Sequence, residues 1–117
     1  MVTIKLEGIE DLKKALDGKV DEYRAALESV VRNAAESVKS EWRADVPVDE
    51  GDYRDSIAAE VTGLTAEIAN VGKKGRHGRY VEFGTSKMRA RPSAQPAAER
   101  ERDRFPERVR GAIRDRS

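Results

Sequence analysis

Val20, Tyr23, Leu27, Val30, Val31, Ala34, Val38 and Trp42 recur at spacings of three and four, which puts them on one stripe of an α-helix. No other feature limits the fold so strongly. A helix from about Lys19 to Ala44 is roughly 40 Å long at its rise per residue. That is long for a chain of 117 residues, so one end is expected to project or to pack on a neighbour. Glu28, Arg32 and Glu36 stand four apart on the polar faces and support the helix. Pro47 disfavours helical geometry at Val46 and stops it there.

The flanking segments change period. Val2, Ile4 and Leu6 alternate with Thr3 and Lys5, the pattern of a half-buried strand over 2–6 that Gly8 ends. Ile9 to Leu16 reads as a short helix with Glu10 and Asp11 in its first turn, where the helix dipole favours acids. Asp49-Glu50-Gly51-Asp52 is turn chemistry. Ile57, Ala59 and Val61 then alternate with polar or small residues, Gly63 marks a turn, and Ala66, Ile68 and Asn70 follow. That spacing predicts a β-hairpin with strands over 56–62 and 65–71. Gly72 to Arg79 is a basic, glycine-rich loop. Tyr80 to Phe83 fits either a further strand over 79–83 or a single helical turn. Pro92 and Pro96 frame an extended approach to a last helix, and Pro96 suits its first position. Ala98, Phe105, Val109 and Ile113 share one side of that helix, which Pro106 is expected to kink or split at Phe105. The fold expected is therefore one α+β domain over 1–117: a small, mainly antiparallel sheet packed on one long helix, with short N-terminal and C-terminal helices.

Composition narrows the function. Hydrophobic and charged residues each make up 38%, and aromatics only 5%, so the core is modest and association with neighbours is a natural source of further burial. A net charge of +1 argues against a dedicated nucleic-acid binder. The absence of cysteine removes disulfides, thiolate metal sites and Cys–His chemistry. His77, the single histidine, sits among glycines and cations with no acid beside it. The acids mostly stand next to cations on solvent faces, so no catalytic constellation, metal site or cofactor is expected. No apolar run reaches the ~20 residues of a membrane span, and no signal-peptide pattern is present. A soluble, intracellular protein is expected.

Two motifs carry a more specific signal. The first is Val46-Pro47-Val48-Asp49-Glu50-Gly51-Asp52-Tyr53-Arg54-Asp55-Ser56-Ile57, and the second is Tyr80-Val81-Glu82-Phe83-Gly84-Thr85-Ser86-Lys87-Met88-Arg89-Ala90-Arg91-Pro92. In this order and behind a long helix, the chain resembles the tail-completion, or head–tail joining (neck), proteins of long-tailed bacteriophages. There a Val-Glu-Phe-Gly-Thr-like segment precedes a Met and an Ala-Arg-Pro, and the long helix ends in a Pro-Val-Asp-x-Gly-x-x-Arg-x-Ser-Ile-like turn. The chain departs from the pattern after Arg91-Pro92, where Ser93-Ala94-Gln95-Pro96-Ala97-Ala98 lacks the large apolar residues usual in that family. This weakens a docking role for 93–96.

The resemblance implies a structural virion protein of the head–tail junction, not an enzyme. It would be made in the host cytoplasm and assembled as a ring that joins the capsid connector to the tail. A hexamer is favoured and a dodecamer is the alternative. The partners implied are neighbouring connector, stopper and tail proteins, with non-specific contact to DNA in the channel and none to a membrane. A tail-terminator ring is the nearest alternative role. Glu82, Phe83, Gly84, Thr85, Met88, Arg91 and Pro92 are the candidate subunit interface. Lys73, Lys74, Arg76 and Arg79 are the candidate channel or docking loop, since 73–91 holds many cations and the single acid Glu82. An acid between Val81 and Phe83 is costly unless paired. Glu82 is therefore expected to meet Arg79, Arg89 or Arg91, from its own chain or the next, as an assembly latch; an edge acid facing water is the alternative. Two rivals from other classes are a DNA-binding accessory protein using the basic loop and a small hydrolase with a carboxylate metal site.

Overall fold

The computed structural model describes residues 3–6, 20–47, 50–71, 78–84, 89–90 and 92–116. The elements in order are β1 (Thr3–Leu6), α1 (Val20–Asp45), α2 (Gly51–Asp55), β2 (Ile57–Thr62), β3 (Thr65–Asn70), α3 (Gly78–Phe83) and α4 (Ala94–Arg116). The fold is α+β, with a three-stranded antiparallel sheet in the order β1-β3-β2. The short helix expected over 9–16 lies outside the described residues.

The apolar stripe of α1 becomes the centre of the core. Leu27, Val31, Ala34, Ala35, Val38 and Trp42 are all fully buried, and Tyr23 is half-buried at the edge. Each large side chain so buried contributes about 1.5–3 kcal/mol. The sheet meets this stripe with the alternate residues that the period-two pattern selects. Ile4, Ile68 and Ala59 stand in one row, and Leu6, Ala66 and Val61 in the next. Thr3, Lys5, Ala58, Glu60, Thr62 and Glu67 face outward and are exposed. The hairpin closes through Gly63-Leu64, with Gly63 at φ 59°, a backbone conformation that glycine adopts without strain.

One open choice is settled and two segments differ from the sequence expectation. Residues 80–83 take the helical alternative, within α3, so among the described residues no fourth strand extends the sheet. Gly51 and Asp52, expected to belong to a turn over 49–52, instead open the short helix α2, whose Arg54 N–H bonds the Glu50 carbonyl at 3.0 Å. The C-terminal helix is neither short nor split: α4 runs unbroken for 23 residues. Pro106 removes the N–H that would bond the Arg102 carbonyl, but both residues face solvent, where water takes that acceptor. Pro96 is the third residue of α4 rather than the first; its missing N–H still falls among the donors that a helix N-terminus leaves unpaired.

This long α4 also answers where the length of α1 is covered. Arg100 Nη2 meets Asp45 at 2.7 Å, Arg104 Nη2 meets Glu41 at 2.5 Å, and Arg108 Nη2 donates to Ser37 Oγ at 3.0 Å. Rising numbers on α4 meet falling numbers on α1, so the two helices lie antiparallel along most of their lengths.

Candidate functional site

The acid that the sequence singles out lies at the meeting point of α1, α2, α3 and α4. Tyr53 on α2 and Trp42 on α1 are both fully buried, their rings edge-to-face with centroids 6.2 Å apart. Trp42 Nε1 donates to Tyr53 Oη at 2.9 Å, and Tyr53 Oη donates onward to Glu82 Oε1 at 3.1 Å. The carboxylate also receives main-chain donors from the start of α4. Ser93 N–H lies 2.8 Å from Oε2, and Ala94 N–H lies 2.8 Å from Oε1. Ser93 Oγ is 3.4 Å from Oε1.

Glu82 therefore caps a helix that begins twelve residues further along the chain. The amide donors at a helix N-terminus and its dipole both favour an anion. Four donors from Tyr53, Ser93 and Ala94 offset the cost of keeping a carboxylate only 4% exposed. Among the described residues the acid meets neutral donors of its own chain where an arginine was expected, and it ties α3 to α4. Arg89 is exposed, while Arg91 and the Arg79 side chain lie outside the described residues. Charge reversal at Glu82 accordingly threatens the fold itself.

Burial pushes the Tyr53 phenol from an ordinary 10.0 to about 12, and the Glu82 charge adds to the shift, while the bond from Trp42 opposes it. The folded state holds this proton more tightly than the unfolded chain does. The stability it confers is complete below pH 10 and is lost as pH rises through about 12. Tyr53→Phe should remove that alkaline sensitivity at a cost near neutral pH of about 1 kcal/mol for the lost hydrogen bonds. Urea midpoints compared across this window check it; parallel decline of both proteins above pH 10 would overturn it.

Beside Glu82 the candidate interface becomes accessible. Phe83 ends α3 with 68% of its surface exposed, and Gly84 follows at φ 76°. Val71, at 49% exposure, is the other large apolar residue that the described surface leaves open. Pro92 is exposed. Thr85, Met88 and Arg91 of the candidate interface, and Lys73, Lys74 and Arg76 of the candidate loop, lie outside the described residues. Arg79 has its backbone in α3. The structure thus joins Glu82 to Tyr53 and Ser93, and it places Phe83 on the outside immediately next to that anchor.

A second buried acid escaped the sequence reading. Glu101 on α4 is fully buried and accepts Arg108 Nε at 2.8 Å and Nη2 at 3.1 Å, a bidentate pair. Arg104 links it to Glu41, whose carboxyl the Arg104 hydrogen bond holds below the usual range, with Arg100 assisting. Nothing in the spacing separates Glu101 from the neighbouring exposed Glu99 and Asp103. Ser93 did carry a signal: a serine before Ala-Gln-Pro fits a helix N-cap followed by proline in the first turn.

Among known protein families, the chain matches "Bacteriophage HK97-gp10, putative tail-component" over residues 9–84. No curated protein and no solved structure matches it. The matched span holds α1, α2, the hairpin and α3 as far as Gly84, and so includes the first motif and the Val81-Glu82-Phe83-Gly84 core of the second. With that span covering well over half of its length, the chain belongs to the bacteriophage HK97-gp10-like family of tail components.

Proposed function

We propose that this tail component forms a closed ring at the head–tail junction of the virion, where it joins the capsid connector to the tail. Its work is contact, not catalysis. The observation that carries this reading is Phe83: a large apolar side chain held 68% exposed, one residue from a carboxylate clamped by α2 and the start of α4 of the same chain. An exposed aromatic on a rigid mount suits a recurrent protein contact, because little side-chain freedom is lost on binding. In a closed ring every copy uses the same heterologous contact, with sixfold symmetry favoured and twelvefold the alternative. Gly84, Thr85, Met88, Arg91 and Pro92 extend that contact along the chain. Lys73, Lys74, Arg76 and Arg79 face the channel in this reading and meet DNA phosphates without sequence preference.

Phe83→Asp tests the contact directly. A surface change of this kind alters stability by less than about 0.5 kcal/mol, so the melting curve should stay in place while assembly falls at least tenfold. Unimpaired assembly would remove Phe83 from the interface. Cryo-electron microscopy of particles from the encoding phage tests the whole reading. A closed ring of this chain between portal and tail tube supports it; a ring at the far end of the tail, or none in intact particles, rejects the junction role.

A further inference from the structure

The order β1-β3-β2 leaves β1 and β2 each with one side that has no strand neighbour among the described residues. The bond from Val71 N–H to the Ser56 carbonyl at 2.8 Å sets the phase of the β2–β3 ladder. Residues 56, 58, 60 and 62 share main-chain bonds with β3, while 57, 59 and 61 turn theirs outward. Arg43 takes the outward carbonyl of Ile57, with Nη2 at 2.7 Å and Nε at 3.2 Å. The outward groups of Ala59 and Val61 come next. β2 contains no proline or lysine to discourage pairing there.

Charge on the exposed face of the sheet identifies the partner. Lys5, Glu67 and Glu60 stand in one row across the three strands. Glu67 has Lys5 on one side and Glu60 on the other, and like charges directly opposite are unfavourable. Among the described residues no strand brings a cation to the remaining side of Glu60, which is the open edge. The opposite edge of the same sheet presents Lys5. Both outer strands run antiparallel to β3, so they point the same way, and copies related by rotation about a ring axis bring β2 against β1 in parallel. A two-fold β2–β2 contact would instead line up Glu67, Glu60 and their two symmetry mates as four adjacent acids.

We infer that β2 of one copy pairs through Ala59 and Val61 with β1 of the next, setting Glu60 against the neighbour's Lys5 and joining the sheets edge to edge around the ring. This deepens the ring reading and rests on it. The natural absence of cysteine makes a cross-linking test clean. Positions 5 and 60 of one chain are two strand spacings apart, about 9.6 Å, beyond the ~7 Å reach of a disulfide. A protein carrying Lys5→Cys and Glu60→Cys together can therefore link only between copies. Assembled and oxidised, it should give a ladder of covalent multimers up to the ring number, whereas each single variant stops at dimers or below.

Glu60→Lys provides a second reading. It should raise the melting temperature by relieving Glu67, yet lower self-association at least tenfold by setting a cation against Lys5. Melting curves that match the wild type's cooperativity show that each variant folds. Rings visible by electron microscopy that give no ladder overturn the edge pairing alone, as does a Glu60→Cys protein that dimerises as readily as the double variant. Wild-type particles without a ring overturn the ring reading and the pairing together.

Discussion

Glu82→Ala is expected to lower the free energy of unfolding by about 3–5 kcal/mol, the cost of breaking a buried charged network by removing one partner. The carboxylate is the common acceptor for Tyr53 Oη, Ser93 N–H and Ala94 N–H. Truncation leaves all three donors in a space closed to water. It also takes the anion from the N-terminus of α4, whose first turn enters the core through Ala94 and Ala97, both buried. Glu82→Gln should lie between, since the amide keeps one acceptor oxygen and turns its NH2 towards the remaining donors. Guanidinium unfolding of the three proteins measures the series. The ranking wild type, Gln, Ala is the expected result. A Glu82→Ala protein within about 1 kcal/mol of wild type would mean that water reaches the site and that the clamp is not structural.

Glu101→Ala should cost about 3 kcal/mol, while replacing Glu101 and Arg108 together by methionine should leave stability within about 1 kcal/mol of wild type. The asymmetry follows from burial. Glu101 is fully enclosed, and the Arg108 side chain is only 28% exposed, so either charge without the other lacks both its partner and full hydration. Two methionines fill similar volume with flexible apolar chains and need no counterion. The Arg108 bond to Ser37 is lost in the double variant, which keeps it from being clearly more stable than wild type. Urea midpoints give both numbers, and equal losses in single and double variants would overturn the argument. Arg104–Glu41 and Arg100–Asp45 continue the row onto the surface; exposed pairs there contribute little singly.

Both acids show why the sequence is only partly legible. Glu82 stands out because Val81 and Phe83 flank it, and a costly acid invites a search for a cation. The residues that satisfy it are neutral: a tyrosine twenty-nine positions earlier and two amides at a helix start eleven and twelve later. Backbone amides have no identity in a sequence, so a cap supplied from a distant element leaves no local trace. Glu101 had no flanking signal at all. Its burial follows from the way α4 lies along α1, held there by side chains of both helices. Phe83, a candidate contact residue from the start, is apolar and remains outside when the chain folds.

The period of the apolar residues was sufficient to determine α1, the β2–β3 hairpin and the α+β class, because a three-to-four or two-residue repeat states both the element and the face it buries. The two motifs likewise were sufficient to point to a phage tail family. Tertiary structure decided the rest. Residues 80–83 became helix because α3 carries Glu82 to the start of α4, and neither state had a local advantage over so few residues. Pro106 remained inside a continuous α4 because its face of the helix meets solvent, where water accepts the hydrogen bond that proline cannot make. Local preference chooses among conformations separated by about 1 kcal/mol; burial of an entire helix face against α1 outweighs it.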